Sequence, residues 1–405
     1  MLKVVAQMMK LQNQSQINLW IVAILLSQNL AMITIVQWAQ IILALFSRRC
    51  AMLKNAKIYV AGHRGLVGSA IVRELQRQGY QNLILKTHAE LDLTNQKAVA
   101  EFFAQEKPEY VFLAAAFVGG MLAQLKFRSN FLYENLMMQN NVIHQAYLNG
   151  VKKLIFLGSL CVYPEHTSLP IQEDSMLNGY LQPNNEPYGI AKIAGSKMCE
   201  LYSKSYDLDF IPIMPCSVYG IEDNFDIETS HVQAAIFRKI YLATCLQNRE
   251  DSTLISDLKM QSKSEAIEYL KSLNITADEV QLLGDGTPQR EFLYSDDLAR
   301  SCVYLAQNIR FAQIDNASAK NANINVGTGE MVSIKELAEV IARVVGFKGK
   351  ISFQSDFNQA GNNGTAKKLA SLEKIHALGW RAEISLKDGI QMMYEWYVKQ
   401  NTARR

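Results

Sequence analysis

The stretch Glu186-Pro-Tyr-Gly-Ile-Ala-Lys-Ile-Ala-Gly195 holds two side chains suited to moving a proton. Tyr188 and Lys192 stand four apart, so on a helix they share one face. An ammonium beside a phenol favours the phenolate, so Lys192 is expected to lower the pKa of Tyr188 and ready it for proton exchange near neutrality. Upstream, Leu154-Ile-Phe-Leu-Gly-Ser159 reads as a strand whose last residue brings a hydroxyl toward the phenol. A Tyr-x-x-x-Lys pair by itself also fits the surface of any helix. It gains meaning from a glycine-rich turn far upstream.

Lys57-Ile-Tyr-Val-Ala61 is a short apolar run that reads as a buried strand. It enters Gly62-His-Arg-Gly65-Leu-Val-Gly68, after which Ser69 to Leu75 has helical spacing. Strand, glycine turn and helix form the context in which Gly-x-x-Gly-x-x-Gly signals a dinucleotide. Gly62 permits the tight turn, Gly65 lets a pyrophosphate approach the backbone, and Gly68 lets helix and strand pack closely. The next strand, Asn82 to Lys86, ends without the acidic residue that binds a free ribose 2′-hydroxyl. Lys86 and His88 stand there instead, with Arg64 in the turn. Positive groups suit a 2′-phosphate, so NADP is expected rather than NAD.

The elements that position these groups alternate. Helices over 97–105, 130–149 and 188–206 separate strands at 110–115, 154–159 and 210–214. Such repetition predicts an α/β fold with a doubly wound parallel (Rossmann) sheet. Ligands in such sheets bind beyond the carboxyl ends of the strands, where Gly62, Ser159 and Pro215 all fall. After Gly220 comes a less regular region with His231. Residues 247–280 are polar and read as a surface insertion. Gly284 to Phe292 is a turn entering a strand, with Arg290 placed to hold a phosphate. Asn323 to Gly327 reads as a last sheet strand, and Ser333 as the N-cap of an amphipathic helix reaching Val345. The expected layout is a Rossmann domain over 52–220, completed by 291–330. A smaller C-terminal substrate-binding domain takes 221–290 and 331–405.

A chain of 405 residues with a formal net charge of +3 offers no electrostatic case for nucleic acid. Its six cysteines, at 50, 161, 199, 216, 245 and 302, include no C-x-x-C pair. That usage fits a reducing compartment, the cytoplasm, better than a disulfide framework or a metal site. The N-terminus dissents. Ile17 to Phe46 is apolar and long enough to span a bilayer, with Arg48-Arg49 behind it. It lacks a secretory cleavage pattern. The expected reading of 1–51 is an extension ahead of a start at Met52; a membrane anchor or an accessory helix are the alternatives.

Together these pieces resemble the extended short-chain dehydrogenase/reductase superfamily and, within it, the GDP-L-fucose synthase family. The resemblance rests on Gly62 to Ser69, Ala114-Ala-Ala-Phe-Val-Gly-Gly120, Gly158-Ser-Leu-Cys-Val-Tyr-Pro164, Asn185 to Gly195, Asp223-Asn-Phe225, Ser230-His-Val232 and Gly286 to Phe292. It implies 3,5-epimerisation and NADPH-dependent 4-reduction of a GDP-4-keto-6-deoxy sugar. In that chemistry Cys161 removes a proton beside the ketone and His231 returns one to the opposite face. Tyr188 donates a proton to the reduced oxygen, Lys192 assists and holds the ribose, and Ser159 bonds the substrate oxygen. The resemblance places the cofactor on Gly62, His63, Arg64, Gly65, Leu66, Val67, Gly68, Lys86 and His88. It adds Leu157, Gly158, Lys192, Pro215, Cys216, Ser217, Val218 and His231. Lys239, Leu283 and Arg290 fall at substrate positions, and a homodimer paired through long helices is implied.

Several residues depart from the family pattern. Phe117 replaces a lysine, His88 an arginine, Ser217 an asparagine and Leu283 a tryptophan. The proton-transfer set is intact. The same chemistry on another GDP-4-keto sugar, such as a heptose, stays open, as does a nucleotide-binding protein without activity.

Overall fold

Four apolar residues in a row, Ile58–Ala61, form strand β1 with every side chain buried. A strand buried on both faces belongs inside a sheet covered by helices. The computed structural model has this arrangement and describes residues 52–227, 229–315, 319–354 and 365–403. The apolar stretch 17–46, and with it the membrane-anchor and accessory-helix readings, lies outside the described residues. Among the described residues no helix is long and apolar enough to cross a membrane.

From β1 the chain turns at Gly62 into α1 (Leu66–Arg77) and returns in the two-residue edge strand β2 (Leu83–Ile84). There follow α2 (Gln96–Glu106), β3 (Tyr110–Leu113), the short α3 (Met121–Lys126), the long α4 (Arg128–Leu148) and β4 (Lys153–Leu157). Helix α5 (Glu186–Tyr206) leads into β5 (Asp209–Pro215). Beyond it lie β6 (Ser217–Tyr219), α6 (Val232–Gln247), α7 (Asp251–Leu258) and α8 (Lys263–Ser272). Then come β7 (Glu279–Leu283), β8 (Gln289–Tyr294), α9 (Ser295–Asn308), β9 (Ile324–Val326) and β10 (Met331–Ser333). The chain closes with α10 (Ile334–Val345), β11 (Lys350–Gln354), α11 (Glu373–Ala377) and α12 (Leu386–Ala403).

One sheet runs β2-β1-β3-β4-β5-β9, parallel throughout, as the alternation of elements predicted. The chain leaves β1 to one side for β2 and to the other for β3. A crevice therefore opens beyond the carboxyl ends of β1 and β3, the place where such sheets take ligands. Phe103, Val142, Ile143 and Cys199, from α2, α4 and α5, pack with sheet residues such as Tyr59 and Phe156 in one apolar core. Ser333 caps α10 as expected, its hydroxyl accepting the Glu336 N–H while Glu336 reaches back to the Ser333 N–H.

A second core gathers around β6, β8 and β10, which form a three-stranded sheet, and the parallel pair β7–β11. Residues 247–280 belong to this core rather than to a surface insertion. α7 and α8 turn Leu254, Ala266 and Leu270 inward, each 0% exposed, and leave most of their polar residues outside. Asp257 is buried among them. It accepts from Arg238 Nε on α6 (2.9 Å), and from the Tyr397 hydroxyl and Asn401 Nδ2 on α12 (2.7 Å each). A buried carboxylate satisfied on both oxygens ties three helices together, and losing it would strand the Arg238 charge. If α7 and α8 are core elements, Leu270→Ala costs about 2–4 kcal/mol of stability in a denaturant or thermal melt. A loss below about 0.5 kcal/mol would return 247–280 to the surface.

Candidate active site

The turn after β1 is shaped for an anion. Gly62 adopts φ +80°, and a Cβ there would stand 2.7 Å from the Ala115 backbone nitrogen. On Gly68 a Cβ would stand 2.1 Å from the Gly62 carbonyl oxygen, so only glycine lets α1 sit this close to the turn. α1 has no side-chain cap and no acidic residue in its first turn, which leaves its N–H groups free for a phosphate. His63 Nδ1 is buried without a partner among the described residues, and burial lowers the pKa of the ring. Arg64 and Lys86 both act on Glu90, whose carboxyl is held low first by the Thr87 hydroxyl and N–H (2.6 and 2.8 Å). Glu90 escaped the sequence reading because it lies in the turn beyond the strand end. His88 points to solvent, 3.9 Å from Asp92. The residues present fit a pyrophosphate on the helix and a phosphate near Arg64 and Lys86.

Ser159 and Cys161 follow β4. Gly158 precedes them because a Cβ there would meet Met214 Sδ of β5 at 2.3 Å. The Cys161 N–H donates to Ser159 Oγ (3.2 Å). That bond fills one lone pair of the hydroxyl and leaves its proton free to turn outward. Cys161 lies against the start of α5: a Cβ on Gly189 would stand 2.6 Å from the Cys161 carbonyl oxygen. Asn185, the residue before α5, donates Nδ2 to Cys161 Sγ (3.3 Å). Sequence reasoning had Asn185 only as part of a motif. A helix N-cap type at that position reads as structural.

Tyr188 and Lys192 share the inner face of α5, as their spacing predicted. Lys192 is 2% exposed, donates to the Leu157 carbonyl (2.7 Å) and sits 5.7 Å from the centre of the Tyr188 ring. The expected effect on the phenol is reversed. Burial, and then the charge of Cys161, raise the Tyr188 pKa, while burial pushes Lys192 down to about 7. Desolvation favours the uncharged form of each group, with Lys192 buried and Tyr188 half-buried. A phenol held protonated suits a proton donor. An aromatic wall completes the enclosure, with Phe131 edge-on to Tyr188 (6.2 Å) and to Phe117 (4.9 Å). Phe117 thus puts an apolar edge where the family pattern has a charge.

His231 precedes α6 and faces this region through its loop. The Gly120 N–H donates to the Thr229 carbonyl (2.9 Å), and a Cβ on Gly120 would strike the Ser230 carbonyl oxygen at 2.3 Å. The next glycine, Gly119, borders both Phe131 and Thr229. Burial lowers the His231 pKa, so its protonated form gives up its proton more readily than a solvated imidazolium. Its ring makes no hydrogen bond to Cys161 or Tyr188 among the described residues.

The remaining residues spread outward. Pro215, buried Cys216, Ser217 and Val218 lie at the β5–β6 junction, where burial pushes the Cys216 thiol up. Leu157 is buried at the end of β4, and Leu66 and Val67 open α1. Arg290 on β8 donates to the Gln289 and Ala366 carbonyls (2.8 and 3.4 Å) and feels the charge of Cys161. Lys239 is half-buried on α6 and Leu283 is exposed at the end of β7. No group of His, Cys, Asp or Glu among the described residues could hold a metal ion.

Comparison with known proteins follows the same pattern. The model of the NAD dependent epimerase/dehydratase family matches residues 58–327. The chain is 48% identical over 352 residues to the putative GDP-L-fucose synthase 2 of Arabidopsis thaliana, covering 87% of this chain and 94% of that one. It is 40% identical to the GDP-L-fucose synthase of Escherichia coli K12, covering 87% and 100%. Among solved structures, a GDP-D-glycero-L-gluco-heptose synthase of Campylobacter jejuni in the presence of NADPH is 46% identical, with a TM-score of 0.81 and coverage of 86% and 99%. A GDP-6-OMe-4-keto-L-xylo-heptose reductase of the same organism is 45% identical, with a TM-score of 0.82 and coverage of 86% and 99%.

Burial of Lys192 fixes the sign of a pH effect. Between about 7 and the ordinary lysine value, the unfolded chain holds a proton that the folded chain lacks. The stability cost of Lys192 is therefore full below pH 7 and fades as pH rises toward 10. Lys192→Met should raise the melting temperature by a few degrees at pH 6 to 7 and by less at pH 10. A gain that grows with pH would contradict the burial.

Proposed function

The chain belongs to the NAD dependent epimerase/dehydratase family and, within it, to the GDP-L-fucose synthases; from that premise we propose that it converts GDP-4-keto-6-deoxy-D-mannose to GDP-L-fucose. The conversion is an epimerisation at carbons 3 and 5 followed by an NADPH-dependent reduction at carbon 4. The observation that carries the reading is the thiol of Cys161 set against the start of the helix that bears Tyr188 and Lys192.

In this reading the Cys161 thiolate removes a proton from a carbon beside the ketone, and protonated His231 returns one from the opposite face. Proton balance leaves a thiol and a neutral imidazole, which exchange with solvent before the second carbon is processed. Ser159 donates its hydroxyl hydrogen in a hydrogen bond to the sugar oxygen, one of its lone pairs being filled by the Cys161 N–H. NADPH, when bound, supplies the hydride for carbon 4. Tyr188, protonated in its dry setting, gives its proton to the new alkoxide. The α1 N-terminus with Gly62, Gly65 and Gly68 would hold the pyrophosphate, Arg64 and Lys86 the 2′-phosphate, and Lys192 the ribose. Arg290 and Lys239 would meet the GDP phosphates.

The reading extends to a cytoplasmic homodimer, with the Rossmann domain at 52–220 and 291–330 and the substrate-binding domain in the rest. Exposed apolar residues on α4 and α5, among them Tyr133, Leu148, Leu201 and Tyr206, support pairing through those helices. The five described cysteines are unpaired thiols, in keeping with a reducing compartment. A second reading, the same chemistry on a GDP-4-keto heptose, is favoured by the Campylobacter structures, whose 45–46% identity falls between the 40% and 48% of the fucose relatives.

Incubation with NADPH and GDP-4-keto-6-deoxymannose in deuterated water should yield GDP-L-fucose labelled at carbons 3 and 5. Cys161→Ser should abolish the labelling, and Tyr188→Phe should slow NADPH oxidation by about a hundredfold or more. Oxidation only with the heptose substrate would transfer the conclusion to the second reading. No oxidation with either sugar, while NADPH binds, would end both.

A further inference from the structure

Asn185 does not do what its position invites. It precedes α5, and asparagine is among the best N-caps because its side-chain oxygen accepts an N–H of the first turn. Here it makes no cap bond. Its Nδ2 points instead to Cys161 Sγ at 3.3 Å and to Gln182 Oε1 at 3.4 Å. Gln182 Oε1 also meets the Thr365 hydroxyl at 3.2 Å. Asn185 Oδ1 is buried without a partner among the described residues. With the amide swapped, that oxygen would face the sulfur, and a thiolate there would repel it, so ionisation of Cys161 favours the amide as it stands.

An amide N–H gains little from a neutral thiol and much more from a thiolate, because bonds to a charged acceptor are roughly twice as strong. The titratable and charged groups that reach Cys161 are Tyr188, from the same helix, and Arg290, from β8. The phenol is held neutral, and the hydrogen bonds of Arg290 go to backbone carbonyls. Asn185 is thus the side chain that donates to the sulfur among the described residues.

We infer that Asn185 is a positioning residue that stabilises and aims the Cys161 thiolate, tying the proton-abstracting base to the helix that carries the proton donor Tyr188. The tie rests on the reading of the site given above and deepens it. It fixes the distance between the group working beside the ketone and the group working on its oxygen. One sugar pose then serves both half-reactions.

The test uses the full chain with Asn185→Ala and with Asn185→Asp, which keeps the shape but places an anion beside the sulfur. Iodoacetamide labelling of Cys161, read by peptide mass spectrometry across pH, reports thiolate formation without any substrate. Removal of the donor should move the labelling profile up by about one unit, slowing labelling about tenfold at neutral pH. The Asp variant should move it further. Deuterium uptake at carbons 3 and 5 should fall in step, while NADPH affinity stays at the wild-type value. A merely structural Asn185 would instead lower the melting temperature of the Ala variant and leave the labelling profile in place. An unmoved profile in the folded Asp variant overturns the inference. A shifted profile with a wild-type chain that labels neither carbon keeps the thiolate tie and overturns the substrate reading instead.

Discussion

The close packing of α5 against the end of β4 is the constraint on which the rest depends. A Cβ on Gly195 would stand 2.4 Å from the Phe156 ring, and Gln139 of α4 donates to the Ala191 carbonyl inside the same helix (2.6 Å). Lys192 then reaches the Leu157 carbonyl across the gap. Strand and helix are locked at a separation that only glycine and a buried lysine allow. Ser159 and Cys161 emerge from the strand, Asn185 and Tyr188 from the helix, and their spacing follows from that lock. Side chains anchored this way are held by backbone geometry rather than by loop conformation, which is what proton transfer over short distances requires.

The same packing removes water, and with it the usual ordering of acidities. Tyr188 rises, while Lys192 and His231 fall, all through burial in the first place. In a wet site Lys192 would charge readily and pull the phenol down. In this dry site the lysine is close to losing its proton, and the phenol keeps its own. The edge of Phe131, itself packed on Phe117, presents hydrocarbon to the phenol. The Asn185 N–H aimed at the Cys161 sulfur puts a donor where a thiolate would accept one.

What could be read from the sequence was local. The spacing of Gly62, Gly65 and Gly68 states a backbone requirement that the turn then meets, and Tyr188 with Lys192 states a helical face. Ser333 and Glu336 announce their own capping box. The family resemblance supplied Cys161 and His231, since neither spacing nor composition marks them. What stayed hidden depends on the surroundings a residue acquires after folding. The phenol's acidity follows from burial, which no pair of residues reveals. Residues 247–280 looked like surface because their helices are short and mostly polar, and three inward side chains leave little periodic signal. Asn185 was hidden by its own suitability as a cap.

The division of labour between the two cores bears on which sugar is taken. Ser159, Cys161, Tyr188 and Lys192 grow from the end of β4 and from α5, where a changed glycine would disturb the contacts that hold them, while His231 stands just before α6. Arg290, Leu283 and Lys239 instead sit on β8, β7 and α6, elements that pack into the second core. Their side chains can change without moving Cys161 or Tyr188. Relatives named for fucose and for heptose chemistry, at nearly the same identity to this chain, are what such an arrangement would produce. In the proposed reading, packing around β4 and α5 holds the reacting groups in place. The sugar then meets side chains on a framework that need not move for them to differ.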